Sequence, residues 1–278
     1  MRRACSLSQP AGRRFACWLI LCCGTIPAPA VFAQEPVDKP VDTTFIDAAR
    51  AYTLRPVRGD GTFALQELEA LRWTNPIRGS AAGTVFIWTE RGRPIAAASM
   101  YSYDPGNGRK VDHEFVSLSE SGFVAEMSGT KVWAPSKGGV RWTALDKAPA
   151  PAATRPARLT QMRLIASRFE GMLINNAGRD RLRLLTQPIY RFPETPTTDG
   201  AIFALAQATD PEILLLVDVD LAGSPPRYRY AAARMSSNAL QLSHDGTTVL
   251  EIEKWAWGST EPDQPYITRI NVPVAKQP

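Results

Sequence analysis

Residues Thr154 to Phe192, TRPARLTQMRLIASRFEGMLINNAGRDRLRLLTQPIYRF, carry the chain's strongest periodic signal. Leu159, Met162, Ile165, Ala166, Phe169, Met172 and Leu173 recur at helical spacing, while Gln161, Arg163, Arg168 and Glu170 fall mostly on the other side, so the spacing predicts one long amphipathic helix. Thr154 suits its N-cap, Pro156 suits the first turn, where a missing N–H costs nothing, and Asn175, Asn176 and Gly178 suit its end. Arg181 to Thr186 then alternates, with Leu182 and Leu184 on one side and Arg181 and Arg183 on the other, as a strand does.

Outward from this stretch the sequence reads as sheet. On the N-terminal side, Thr44 to Tyr52 fits a short helix, with Phe45, Ala48, Ala49 and Tyr52 on one face. From Gly83 the period becomes two: strands are expected at Val85–Trp88, Ile95–Tyr103, Val111–Leu118 and Phe123–Met127, separated by turn-rich segments that imply an antiparallel meander. On the C-terminal side, Gly200–Ala208, Glu212–Asp220, Arg227–Met235 and a final hairpin around Asp245-Gly246 follow. Ile213 to Val217 are five consecutive large aliphatics, the mark of a central strand covered on both faces. The expected fold is therefore α+β: two antiparallel sheet regions with the long helix packed between or across them. The expected divisions are a signal peptide at 1–33, an N-terminal β-rich region at 34–146, an Ala/Pro linker at 147–157 and a C-terminal region of helix and sheet at 158–278.

The first residues read as an export signal. Arg2, Arg3, Arg13 and Arg14 precede the apolar run Phe15–Cys23, no acid appears before Glu35, and Val31-Phe32-Ala33 is a small-residue cleavage pattern, with a cut after Ala30 as the alternative. The Sec route is the default, although the twin arginines leave the twin-arginine route open. The run is shorter than the roughly 20 apolar residues that span a bilayer, and no transmembrane segment is expected in the mature chain. All four cysteines lie in this segment, so the mature chain has no disulfide, thiol nucleophile or thiolate metal site. Four of the 32 basic residues and none of the 27 acidic ones lie there too, so the mature chain is nearly neutral. The basic balance of the whole chain thus gives no reason to expect a nucleic-acid partner.

The candidate chemistry is thin. There are two histidines, and His113 sits in Asp112-His113-Glu114. His113 and Glu114 are the catalytic candidates, a base or ligand and its carboxylate. The competing account is that alternation puts His113 on the opposite face from both acids, as a hydrogen-bonded core residue beside Phe115. His244 precedes a turn and reads as surface. Asp218 and Asp220 share a face and have the spacing of a metal-ligand pair. They could equally pair across a hairpin with Arg227 and Arg229. Trp255 and Trp257 alternate onto one face near the chain end and are the ligand-binding candidates, through stacking on sugar rings; aromatics on strands are otherwise core. A nucleophile elbow, a phosphate loop, a dinucleotide fingerprint and a His-Glu-x-x-His pair are all missing, and no cofactor is expected.

The segments Arg72-Trp73-Thr74-Asn75-Pro76, Trp88 with Gly92-Arg93-Pro94, His113-Glu114-Phe115, Arg181 to Phe192 and Asp199 to Phe203 resemble an exported protein family of planctomycete bacteria. The resemblance covers most of the mature chain and implies export; it implies no activity, substrate or site residue. The reading favoured is an exported, non-catalytic envelope protein that binds a ligand or partner, such as a saccharide or an envelope protein. A carboxylate- or metal-dependent hydrolase of the envelope and a structural envelope component are the alternatives. An enzyme should converge several polar groups in one pocket, whereas a binding module should expose an aromatic patch.

Overall fold

The aliphatic run Ile213 to Val217 lies in a strand whose two faces are both covered: Leu214 and Leu216 point into one apolar layer, Ile213, Leu215 and Val217 into another. That alternation sets the layering of the whole molecule. The structure, a computed structural model, describes residues 44–66, 68–78, 81–103, 110–256, 258–259, 261–270 and 272. The expected export signal lies outside them.

In the first half, helix α1 (Thr44–Arg50) leads into β1 (Tyr52–Pro56) and the short β2 (Ala64–Leu65). Then come β3 (Leu71–Asn75), β4 (Ala81–Glu90), β5 (Arg93–Tyr103), β6 (Lys110–Ser117), the hairpin β7 (Phe123–Met127) and β8 (Thr130–Trp133), and finally β9 (Thr143–Ala144). In the second half, α2 (Arg155–Ala166) leads into β10 (Phe169–Asn175) and β11 (Gly178–Arg181). They are followed by β12 (Arg183–Arg191), β13 (Thr198–Gln207), β14 (Asp210–Asp220), β15 (Arg227–Arg234), the hairpin β16 (Ala239–His244) and β17 (Thr247–Ile252), and β18 (Tyr266–Arg269). All the sheets are antiparallel, as the close turns require.

Strands β1 and β4–β8 recur as β10 and β13–β17 at a constant offset of 117 residues, as from Tyr52 to Phe169, whereas Tyr190 of β12 faces Ile202 where Trp73 of β3 faces Gly83. Tyr52 pairs with Met127 and Phe169 with His244; Gly83 pairs with Tyr101 and Gly200 with Asp218; Met100 pairs with His113 and Val217 with Tyr230. The irregularities repeat too. The β4–β5 register shifts at Trp88/Thr89 and the β13–β14 register at Leu205/Ala206, the same places in the two copies. Arg91 and Ala208 both have positive φ, as do Ser128 and Asp245, each followed at the next position by a matching Gly129 or Gly246. Pro76 and Pro193, Gly83 and Gly200, and Pro94 and Pro211 are identical in type across the offset.

Each half contributes one broad sheet, β3-β4-β5-β6 or β12-β13-β14-β15, backed by a smaller one, β1-β7-β8 or β11-β10-β16-β17. The two broad sheets meet through equivalent residues: Val85 and Ile202, Ile87 and Ala204, Ala97 and Leu214, and Val116 and Ala233 share one core. This is the self-complementary contact of a twofold dimer, made within one chain. The outer cores match in the same way, with Tyr52, Phe86 and Ala98 in one and Phe169, Phe203 and Leu215 in the other. The halves also exchange edges: β9 of the first pairs with β15 of the second, and β18, after the second, pairs with β6 of the first.

Two expectations need correcting. The fold is mostly β, arranged as four sheets, rather than α+β around a long helix. The longest helix among the described residues is α2, of 12 residues; it stops at Ala166 with Ser167 as C-cap, and Phe169 to Asn175 is strand. Residues four apart share a face in a strand as well as in a helix, so Ile165, Phe169 and Leu173 satisfied both periods. Gly171 lies within that strand, its bare Cα against Leu182 and Leu205, where a Cβ would stand 3.0 Å from both side chains. Nor does α2 fill the space between the broad sheets. It packs Met162 and Ile165 on the outer face of the second sheet, with Thr154 capping and Pro156 in the first turn.

Candidate functional site

Strand alternation on β6 sends His113 and Phe115 outward into the core beneath the small sheet, and turns Glu114 and Val116 inward toward the other half. At the end of the inter-sheet core where Glu114 emerges there is a cavity of about 310 Å³. Trp73 of β3, Tyr101 and Tyr103 of β5 and Glu114 wall it from the first half; Asp210 of β14 and the segment Ser236–Asn238 after β15 wall it from the second. Arg78, in the turn Pro76–Arg78, reaches across the boundary. Gly83 makes the aromatic wall possible: a Cβ there would stand 2.5 Å from Cβ of Tyr101 and 2.7 Å from the Trp73 ring.

The cavity gathers acids. Arg78 pairs with Glu212 at 2.7 Å and with Asp210 at 3.4 Å, and Asn75 donates to Asp210 at 3.1 Å. Glu114 accepts a hydrogen bond from the Tyr266 hydroxyl of β18. Burial pushes Glu114 up to about 8, outweighing Tyr266 and Arg78, which pull it down. Burial, then the neighbouring Glu212, pushes Asp210 up to about 7, and burial raises Glu212 as well. The pocket floor therefore holds protons near neutral pH.

The duplication supplies a second copy of this place, built differently. Position for position, Tyr101 becomes Asp218, Asp112 becomes Arg229, Asp210 becomes Arg93 and Glu114 becomes Ala231. Arg93 donates to Asp218 at 3.1 Å, and Arg229 grips it through two hydrogen bonds of 2.7 and 3.1 Å. Both guanidinium carbons lie over the Trp142 ring, 5.9 and 4.9 Å from its centre. In the second copy the chain's own guanidinium groups and an indole surround the single acid; in the first copy a tyrosine is flanked by acids.

The expected site residues scatter. His113 is 2% exposed, its Nδ1 bonded at 2.8 Å to Tyr52, whose hydroxyl also accepts from Arg269. Burial, then Arg269, pushes the imidazole down to about 4, so it is neutral at pH 7. It does not reach the cavity; Glu114 does. Asp218 is bound by arginines in the second copy, and Asp220 accepts from the backbone N–H groups of Ala222 and Gly223 at 3.1 and 3.0 Å. Among the described residues no group of His, Cys, Asp or Glu has the arrangement of a metal centre. Trp255 is half-buried against Tyr266, edge-on at 5.7 Å, and Trp257 lies outside the described residues. Sequence reasoning missed Trp73, Arg78 and Asp210, which are distant in sequence; the signal that could have joined them was the 117-residue repeat. No helix among the described residues is long and apolar enough to cross a membrane. Comparison with protein-family models, curated proteins and solved structures found no match to this chain.

Proposed function

We propose that this is an exported protein that binds a small ligand in the cavity between its two halves. The observation that carries the reading is the unequal fate of the duplicated place: one copy is closed by Arg93, Arg229 and Trp142, while the other is open and lined by three aromatic rings and buried acids. Its volume is at the small end of ligand pockets, and it combines apolar walls with a few oriented polar groups, as such pockets do. Export rests on the basic, apolar and small-residue order of residues 1–33 and agrees with the resemblance to an exported planctomycete family.

A thermal-shift screen against metal ions with a chelator, oligosaccharides, cell-wall fragments and organic amines tests the reading, since a ligand of the folded state raises the midpoint by mass action. A shift abolished by Trp73→Ala supports the cavity; a shift insensitive to that change places the ligand elsewhere and refutes it. One arrangement favours a second reading, a carboxylate-dependent hydrolase: Glu114 and Asp210 line the same cavity, and burial raises both carboxyls toward the neutral range that general acid work requires. Turnover of envelope glycosides or esters that is lost in Glu114→Gln would put that reading first.

A further inference from the structure

We propose that the cavity takes an organic cation of the guanidinium type, held by Glu114 against the rings of Trp73, Tyr101 and Tyr103. This deepens the binding reading and rests on it. The second copy of the site is the internal reference: there two guanidinium groups from the chain itself lie on Trp142 and close on the carboxylate of Asp218. The first copy has its own aromatic wall, Trp73, Tyr101 and Tyr103, and its own acids, Glu114 and Asp210, with Asp210 and Asp112 in place of the two arginines.

Neither nearby arginine fills the place: Arg78 is committed to Glu212 and Asp210, and Arg234, over the Tyr266 ring at 4.6 Å, donates to the carbonyl oxygens of Ser236, Glu253 and Asn238. That leaves Glu114, which is 6% exposed, turned into the cavity and bonded on one oxygen to Tyr266. A buried carboxyl beside aromatic faces is the pairing that a planar, weakly hydrated cation satisfies, through a charge-assisted hydrogen bond at its edge and stacking on its face. Burial holds a proton on Glu114 near neutral pH, so the arriving cation displaces it, and binding is tighter at higher pH and releases a proton.

The test is calorimetric titration of the purified protein with agmatine, with an arginine-containing dipeptide, with n-butylurea as the neutral analogue and with a neutral disaccharide, each at pH 6 and pH 8.5. The expected result is binding of the guanidinium compounds but not of the urea, tighter at the higher pH, with proton release seen as a dependence of heat on the buffer. Both compounds carry the guanidinium group, so binding of both supports the proposal, whereas agmatine alone points to its ammonium end and overturns the guanidinium assignment. Glu114→Gln should weaken binding by about tenfold or more. Should that variant not fold, the proton release of the unaltered protein decides. Binding of the urea or disaccharide in the cavity, lost in Trp73→Ala, with none of the cations, overturns the cation and leaves the binding reading standing. No response at Trp73 to any compound here or in the wider screen overturns both.

Discussion

Replacing Glu114 by Gln keeps the shape of the side chain and an oxygen for the Tyr266 hydroxyl, but removes the titration. In the folded protein the carboxyl is pushed from an ordinary 4.5 to about 8. A folded value above the unfolded one means that the folded state holds the extra proton. The resulting stability is complete below about pH 4.5 and is lost as pH rises through about 8. At 1.36 kcal/mol per unit the rise from 4.5 to about 8 corresponds to about 5 kcal/mol. For a protein of this size about 1 kcal/mol moves the midpoint by roughly 2–4 °C, so the effect is on the order of 10 °C. Urea unfolding of both proteins at pH 5 and pH 9 reads it directly. The unaltered protein should lose stability across that interval while Glu114→Gln loses much less, so that the variant is the more stable of the two at pH 9. Parallel curves would show that Glu114 is not held protonated in a buried cavity and would remove the electrostatic basis of the site.

Other outcomes follow from the same geometry. Gly83→Ala must displace Trp73 or Tyr101, and Gly200→Ala must displace the Phe192 ring, which would stand 2.4 Å from the new Cβ. Each should cost about 1–3 kcal/mol in denaturant unfolding, and only the first should disturb ligand binding. Arg158, 3% exposed, donates to Asp199 at 2.8 Å and also pairs with Glu194, while Arg191 donates to Asp199 at 2.6 Å. Arg158→Ala leaves a buried acid short of its partner and should cost about 3–5 kcal/mol, measured the same way. His113, buried and neutral with its value lowered to about 4, contributes stability that is present above 6.5 and lost as pH falls toward 4. His113→Gln should flatten the acid side of the stability profile.

Much of the strand layout was legible because alternation over β4, β5 and β6 is regular, the aliphatic run of β14 is unbroken, and the turns between strands are chemically marked. The helix was overread because Ile165, Phe169 and Leu173 are spaced by four, a distance that cannot separate the two periods. The duplication was hidden by substitution at constant geometry: Ala96, Ala97 and Ala98 in β5 correspond to Ile213, Leu214 and Leu215 in β14, small against large on the same faces. What survived were residues with backbone reasons to persist, the turn glycines Gly129 and Gly246 with φ of 76° and 77°, and Gly83 and Gly200 beneath aromatic rings. The site was legible only in Glu114. Its partners come from β3, β5 and the opposite half, and nothing in their local sequence announces that they meet.

The most direct test is to follow the indole N–H signals of Trp73 and Trp142 in a nitrogen-edited NMR spectrum while agmatine is added. Trp73, whose Nε1 donates to Ser99 at 2.9 Å, walls the open cavity, and Trp142 lies under the two arginines that close the other. The Trp73 signal should shift with saturation and the Trp142 signal should stay in place. Movement of Trp142 alone, or a saturating shift of neither in the presence of bound ligand, would contradict the assignment of the open copy as the binding site.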